Sequence, residues 1–227
     1  MPFAAATRQC ADFQPGLKYP ARTRHSPTRG VFVFATLSYN GGFMLNKISE
    51  KFYGWAKGWL ALVLLVLDMF FAGFLMPLIG GMMQGGQGGI QPLDLMIFQT
   101  PDKLFAMLAK YGDLTFYRNV ELTVDIIYPI IYLFAFGILI SWLFQRGFAS
   151  DSIMRRLNVM PLGAWFFDLL ENLAIVSLIS LHPAQPIALG WLLFLFSSIK
   201  WIFAFASVLL ILVGLGMAIR NGFRKQD

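Results

Sequence analysis

An all-α polytopic membrane protein, a bundle of four transmembrane helices, is the fold class the sequence predicts, and three observations predict it. Of 227 residues, 57% are hydrophobic and 13% charged, where soluble domains carry about a quarter charged residues; the mean hydropathy is +0.64. Four apolar runs reach the roughly 20 residues that a hydrocarbon core of about 30 Å demands. The basic residues gather at alternate ends of these runs, as a serpentine path through a bilayer requires.

Residues 1–43 hold five Lys/Arg against one Asp and supply four of the six net positive charges. The basic balance therefore belongs to a tail and to span flanks, and no nucleic-acid partner is expected. Pro15, Pro20 and Pro27 with the Arg-rich, acid-poor composition give this stretch the character of a disordered basic tail or a transit peptide. Met44 opens MLNKISEKFYGWAKGW, an ordinary basic lead-in to a span, and is expected to be the functional start of one domain, 44–227. Cys10 is the only cysteine, so neither a disulfide framework nor Cys-based metal spacing is available. No metal and no cofactor is expected.

The first span is expected at about 58–79, with Asp68 in its middle. A lone mid-span carboxylate is costly in lipid and must turn inward. The glycine-rich stretch 80–89 reads as a flexible exit loop. Thr100 as N-cap and Pro101 at the first helical position start a short helix, in which Leu104, Phe105, Leu108 and Tyr111 share one face. That helix either lies on the membrane surface as an amphipathic segment of the first external connection or packs as a loop helix.

The second span is expected at about 124–146, within a helix starting near Asp113. Tyr117, Glu121, Asp125, Tyr128 and Tyr132 recur at spacings of four, four, three and four, which holds all five on one face. Pro129 removes one backbone hydrogen bond beside Asp125. Gly137 and Ser141 make a small-xxx-small pair suited to close helix contact.

The third span, about 161–182, carries Asp168, Glu171 and Asn172 at i, i+3 and i+4, so all three point to one side. His182 falls at its end as a cap or interface residue. The short loop after it forces the fourth span, about 187–217, to fold straight back; that span is apolar except for Lys200, expected to pair with Asp168 or Glu171. Lys47, Lys51 and Lys57, then Arg146, Arg155 and Arg156, then Arg220, Arg224 and Lys225 place both termini on the cytoplasmic side.

Asp68, Asp168, Glu171 and Lys200 are thus expected near the bilayer midplane, with Asp125 and Glu121 nearer the outer face. One reading is a structural polar core in which Lys200 pairs with one carboxylate and Asn172 and the tyrosines bond the rest. Another is a pocket for a lipid-like or amphiphilic molecule, a lipid or a cationic amphiphile, its polar head fixed by carboxylates and tyrosines. A proton- or cation-coupled carrier acting as a homo-oligomer is a third. No nucleophile or metal-ligand motif supports a catalytic residue, so an enzyme is not favoured.

The blocks YGDLTFYRNVELTVDIIYPIIY, MPLGAWFFDLLENLAIVSLISLHP and SSIKW resemble those of an uncharacterised bacterial family of four-span membrane proteins with no assigned activity. The resemblance covers most of 44–227 and implies the four-helix fold and a bacterial inner membrane, with emphasis on Asp125, Tyr128, Pro129, Asp168, Glu171, Asn172 and Lys200. At the level of architecture alone, four helices with inward carboxylates are similar to the sterol-isomerase and sigma-2-receptor group, whose acids face an apolar pocket.

Overall fold

The computed structural model describes residues 44–83, 92–95 and 100–223. The expected tail at 1–43 and most of the glycine-rich loop lie outside the described residues. Helix α1 spans 44–55. The first span is a continuous helical stack of α2 (Gly58–Phe70), a π-helical turn (Phe71–Leu75) and α3 (Met76–Met83). After a short 3-10 turn (Leu93–Leu95) come α4 (Pro101–Leu108), α5 (Leu114–Glu121) and α6 (Val124–Gly147). A 3-10 stretch (Ile153–Val159) leads into α7 (Met160–Leu181), and α8 (Ile187–Phe223) ends the described chain. Among the described residues there is no strand. Four segments are long and apolar enough to cross a membrane: Gly58–Met83, Leu114–Gly147, Ile153–Leu181 and Ile187–Phe223.

Helix α6 is the hub, packing on α2, α7 and α8, while α7 and α8 form the largest helix pair. Close approach depends on small residues. A Cβ on Gly137 would stand 2.7 Å from the Phe52 ring, and one on Gly214 would stand 2.9 Å from the Phe144 ring. Gly137 is thus a close-contact point, as the small-residue pair suggested, with α1 as the neighbour.

Four local features differ from the sequence reading or decide a choice it left open. The first span runs to Met83, so Gly80 and Gly81 are helical. The π turn inside it follows from Pro77: with no N–H at that position the ladder loosens, and the Met76 N–H reaches back five residues to the Phe71 carbonyl. The second span is two helices. The Thr123 hydroxyl donates to the Asn119 carbonyl at 2.6 Å, taking the acceptor that a continuous ladder would use, and the chain turns between α5 and α6.

The third, α4, decides between the two readings left open, a surface segment and a packed loop helix. Pro101, Leu104, Phe105 and Leu108 are all buried, and they join a core with Tyr117, Ile175, Leu178 and Leu193. This helix is therefore part of the bundle and not a surface segment; Thr100 precedes it with extended geometry but makes no side-chain cap. The fourth is α1, which the basic lead-in did not announce as a packed element. Its Phe52 is buried beside Phe134, and its Ser49 enters a buried polar network.

In that network the Ser49 hydroxyl donates to Asn158 Oδ1 at 2.7 Å, and Asn158 Nδ2 donates to the Ser49 carbonyl and to Ser141 Oγ at 3.1 and 2.8 Å. Ser141 in turn donates to the Gly137 carbonyl at 2.6 Å. Nearby, the Tyr53 hydroxyl donates to the Arg155 carbonyl at 2.7 Å and its ring lies under the Arg155 guanidinium. Burial pushes that hydroxyl above its usual range, with Arg155 pulling back, so it stays a donor at neutral pH. Asn221 donates to the carbonyls of Arg146 and Gly147, which puts the last turns of α8 at the same end of the bundle as the close of α6.

Candidate functional site

The apolar run of α7 carries its polar residues on one buried side. Asp168, Glu171 and Asn172 are 5%, 0% and 4% exposed, and Lys200 on α8 is 8% exposed. Lys200 Nζ lies 3.2 Å from Asp168 Oδ1 and forms a second, closer ion pair with Glu171. The other oxygen of Asp168 accepts from the Tyr132 hydroxyl at 2.8 Å. One ammonium therefore serves two carboxylates, and a phenol completes the first of them.

Asn172 has a different task. Pro129 has no N–H to offer the carbonyl four residues before it, which is that of Asp125. Asn172 Nδ2 donates to this carbonyl at 2.8 Å. The amide thereby repairs the backbone of α6 from the neighbouring helix, as membrane helices with internal proline require. Its own Oδ1 is buried without a hydrogen-bond partner among the described residues.

Beside the ion cluster lies a cavity of about 800 Å³, well within the range of small-molecule sites. The C-terminal half of the first span forms one wall, including Met76, Ile79 and Gly80. Glu121 on α5 and Asp125, Tyr128, Tyr132 and Phe136 on α6 form the floor, with Asp168 from α7. Lys200, Trp201, Ala204, Phe205 and Val208 on α8 form the opposite wall. Ala72, Phe205 and Val208 line this space and are exposed.

The structure thus brings Tyr132, Asp168, Glu171 and Lys200 into direct contact, and it puts Glu121, Asp125 and Tyr128 on the cavity beside them. Glu121 and Asp125 are buried, at 3% and 6% exposure. Asp68 stands apart from this cluster. It is buried, and its Oδ1 has no hydrogen-bond partner among the described residues. Phe71, one turn after Asp68, stacks on Tyr128 with ring planes 4° apart.

Tyr117, expected to begin the polar stripe, is fully buried beside Tyr111 in the apolar core, where its hydroxyl accepts from the Leu93 N–H at 2.9 Å. The turn between α5 and α6 rotates it off the face that Asp125, Tyr128 and Tyr132 share. His182 is exposed at the end of α7. Of the α8 wall, the sequence reading named Lys200 but missed Trp201, Phe205 and Val208. Trp201 follows Lys200 directly and Phe205 lies four residues on, so the lysine's own helix carried the signal in a run where aromatic residues looked like lipid-facing bulk. No family model, curated protein or solved structure matches this chain.

Proposed function

We propose that this four-span membrane protein binds a lipid-like or amphiphilic small molecule in its intramembrane cavity. The carrying observation is that one cavity joins the exposed apolar residues Ala72, Phe205 and Val208 to the carboxylates Asp125 and Asp168. Such a space has an apolar entrance and a polar end, which suits a molecule that is itself divided in that way. The first span packs chiefly on α6, which leaves the cavity between its C-terminal half and α8.

The basic residues of α1, of the α6–α7 connection and of the last turn of α8 share one end of the bundle. By the positive-inside rule that end is cytoplasmic, with Glu121 and the mouth beside Pro92 and Leu95 toward the outer leaflet of a bacterial inner membrane.

Mass spectrometry of the purified protein tests the reading. A defined amphiphile should co-purify and be lost in Asp168→Asn. Proton- or cation-dependent flux in vesicles without a bound molecule would favour the carrier instead. A purely structural core has its own support, because Lys200, Tyr132 and Asn172 all have partners within the bundle. If Asp168→Asn only lowers stability and no molecule is retained, that reading replaces the pocket.

A further inference from the structure

We propose that the end of the bundle that holds α1 binds the head group of an anionic phospholipid, with Arg146 and Arg155 as the ligands of its phosphate. This seat is distinct from the cavity, which none of its residues lines.

Both arginines are held in place before any ligand arrives. The Arg146 guanidinium lies 3.9 Å from the centre of the Trp142 ring, and its Nη1 donates to the Trp142 carbonyl at 3.0 Å. The Arg155 guanidinium lies 4.4 Å from the centre of the Tyr53 ring, whose hydroxyl donates to the Arg155 carbonyl at 2.7 Å. Tyr53 is joined in turn to α6 next to Arg146, because Gln145 Nε2 donates to the Tyr53 carbonyl at 3.1 Å. Charges that merely orient a span need no such anchoring. Stacking removes rotamer freedom in advance, so less is lost when a ligand binds.

The pair is also without a counter-charge. Arg146 is exposed and Arg155 half-buried, and neither forms an ion pair among the described residues. Glu50 and Asp151, the acids described at this end, pair with neither. Lys57 and Arg156 are exposed here too and add to the positive field. A guanidinium offers five donors in a planar fork, of which Arg146 spends one on the Trp142 carbonyl. Phosphate oxygens match that fork.

The depth fits a lipid. Arg146 lies in the last turn of the apolar segment that ends at Gly147, Arg155 in the first turn of the one that starts at Ile153, and Lys57 just before the one that starts at Gly58. Head groups lie at the level where such segments end. The Trp142 ring meets α2 at Gly58, where an added Cβ would stand 2.9 Å from Nε1. From there Trp59, Leu62, Val63 and Val66 form one exposed apolar face. That face gives an acyl chain a path leading away from the phosphate, for which a soluble anion has no use.

The full chain in a nonionic detergent should be titrated with dioleoyl phosphatidylglycerol, dioleoyl phosphatidylcholine and glycerol phosphate, with adducts counted by native mass spectrometry. Phosphatidylglycerol should half-saturate one site at a concentration roughly tenfold below phosphatidylcholine, whose choline brings a cation to the same guanidinium groups. Glycerol phosphate should not saturate in that range. Arg146→Gln and Arg155→Gln should each weaken phosphatidylglycerol roughly tenfold, the loss of one hydrogen bond to a charged group. Arg156→Gln, which removes an unstacked neighbour, should weaken it about twofold at most. Circular dichroism melting identifies the folded variants, and either folded arginine variant, of Arg146 or Arg155, is sufficient for the test.

Equal half-saturation by the two lipids, or tighter phosphatidylcholine, would overturn the anionic head group. Glycerol phosphate saturating as tightly as phosphatidylglycerol would overturn a lipid as the occupant. Binding unchanged in the folded Arg146 and Arg155 variants, or weakened as much by Arg156→Gln, would overturn this seat. None of these results bears on the cavity, whose occupant is followed by Asp168→Asn.

Discussion

Ser49, Ser141 and Asn158 bury a polar cluster at the end of the bundle that holds α1. Farther along α6 and α7, Tyr132, Asp168, Glu171 and Lys200 bury another. In the first, Asn158 uses both its donor and acceptor groups, every member is neutral, and none of them lines the cavity described above. In the second, the members are charged, one cation is divided between two anions, and the cluster forms part of a cavity wall. Assembly alone is served by the first plan, because a satisfied neutral network joins three elements with no ions to desolvate. The second plan takes on the desolvation of ions, which well-packed apolar residues would avoid. The contrast between them is what points to the second cluster as the site of function.

The largest effect should come from removing the shared cation. Lys200→Met leaves Asp168 and Glu171 facing each other, and a loss of about 3 kcal/mol or more is expected, since breaking a buried pair from one side strands the other charge. Reversible unfolding in mixed micelles measures it. In a double-mutant cycle, adding Glu171→Gln should recover part of the loss; strictly additive losses would mean that the pair is not coupled and that the two clusters do not differ in the way described.

Asn158→Ala should cost somewhat less, about 2 kcal/mol, because it strands Ser49 and a backbone carbonyl without stranding a charge. It sharpens the contrast through a second readout: retention of bound amphiphile should be unchanged, whereas Asp168→Asn should abolish it. If Asn158→Ala released the ligand as fully as Asp168→Asn, the division into a scaffold cluster and a site cluster would fail.

Asn172 lies between the two plans, buried with the charged cluster but acting on backbone. Asn172→Ala should cost about 1 kcal/mol, within the range of interhelical hydrogen bonds in membranes. In a Pro129→Ala background, where α6 regains an N–H for the Asp125 carbonyl, the same substitution should cost distinctly less. An unchanged cost there would assign Asn172 to the ion cluster after all. The smallest effect is expected for Tyr132→Phe, about 0.6 kcal/mol for the single bond to Asp168, read by the same unfolding assay.

Much of the fold was legible because lipid imposes strict periodicity and length. Hydropathy delimited four spans, and the i, i+3, i+4 spacing of Asp168, Glu171 and Asn172 put all three on the buried side of α7. The pairing of Lys200 was legible from cost alone, since an ammonium in mid-span needs an anion. What escaped was set by events between residues distant in sequence. Tyr117 was read onto the stripe because nothing in its spacing reveals that the Thr123 hydroxyl takes a backbone acceptor and turns the helix. Asn172 was counted with the ions because its partner is a carbonyl, invisible in a list of side chains, although Pro129 forty-three residues earlier was the signal. Asn158 and Ser49 were passed over because short polar residues near a membrane boundary look like ordinary interfacial composition.

The link between Pro129 and Asn172 also bears on how the chain enters the bilayer. A second span released alone into lipid would carry the Asp125 carbonyl bare in a solvent that offers no donor, at a cost of several kcal/mol per unsatisfied group. Its donor is made later, by the third span. Lateral release of the second span is therefore favoured once the third has arrived beside it, so that the two leave the insertion machinery as a hairpin. The connection between them, residues 148–159, is short and anchored by Asn158, which keeps the late partner close to the early one during synthesis.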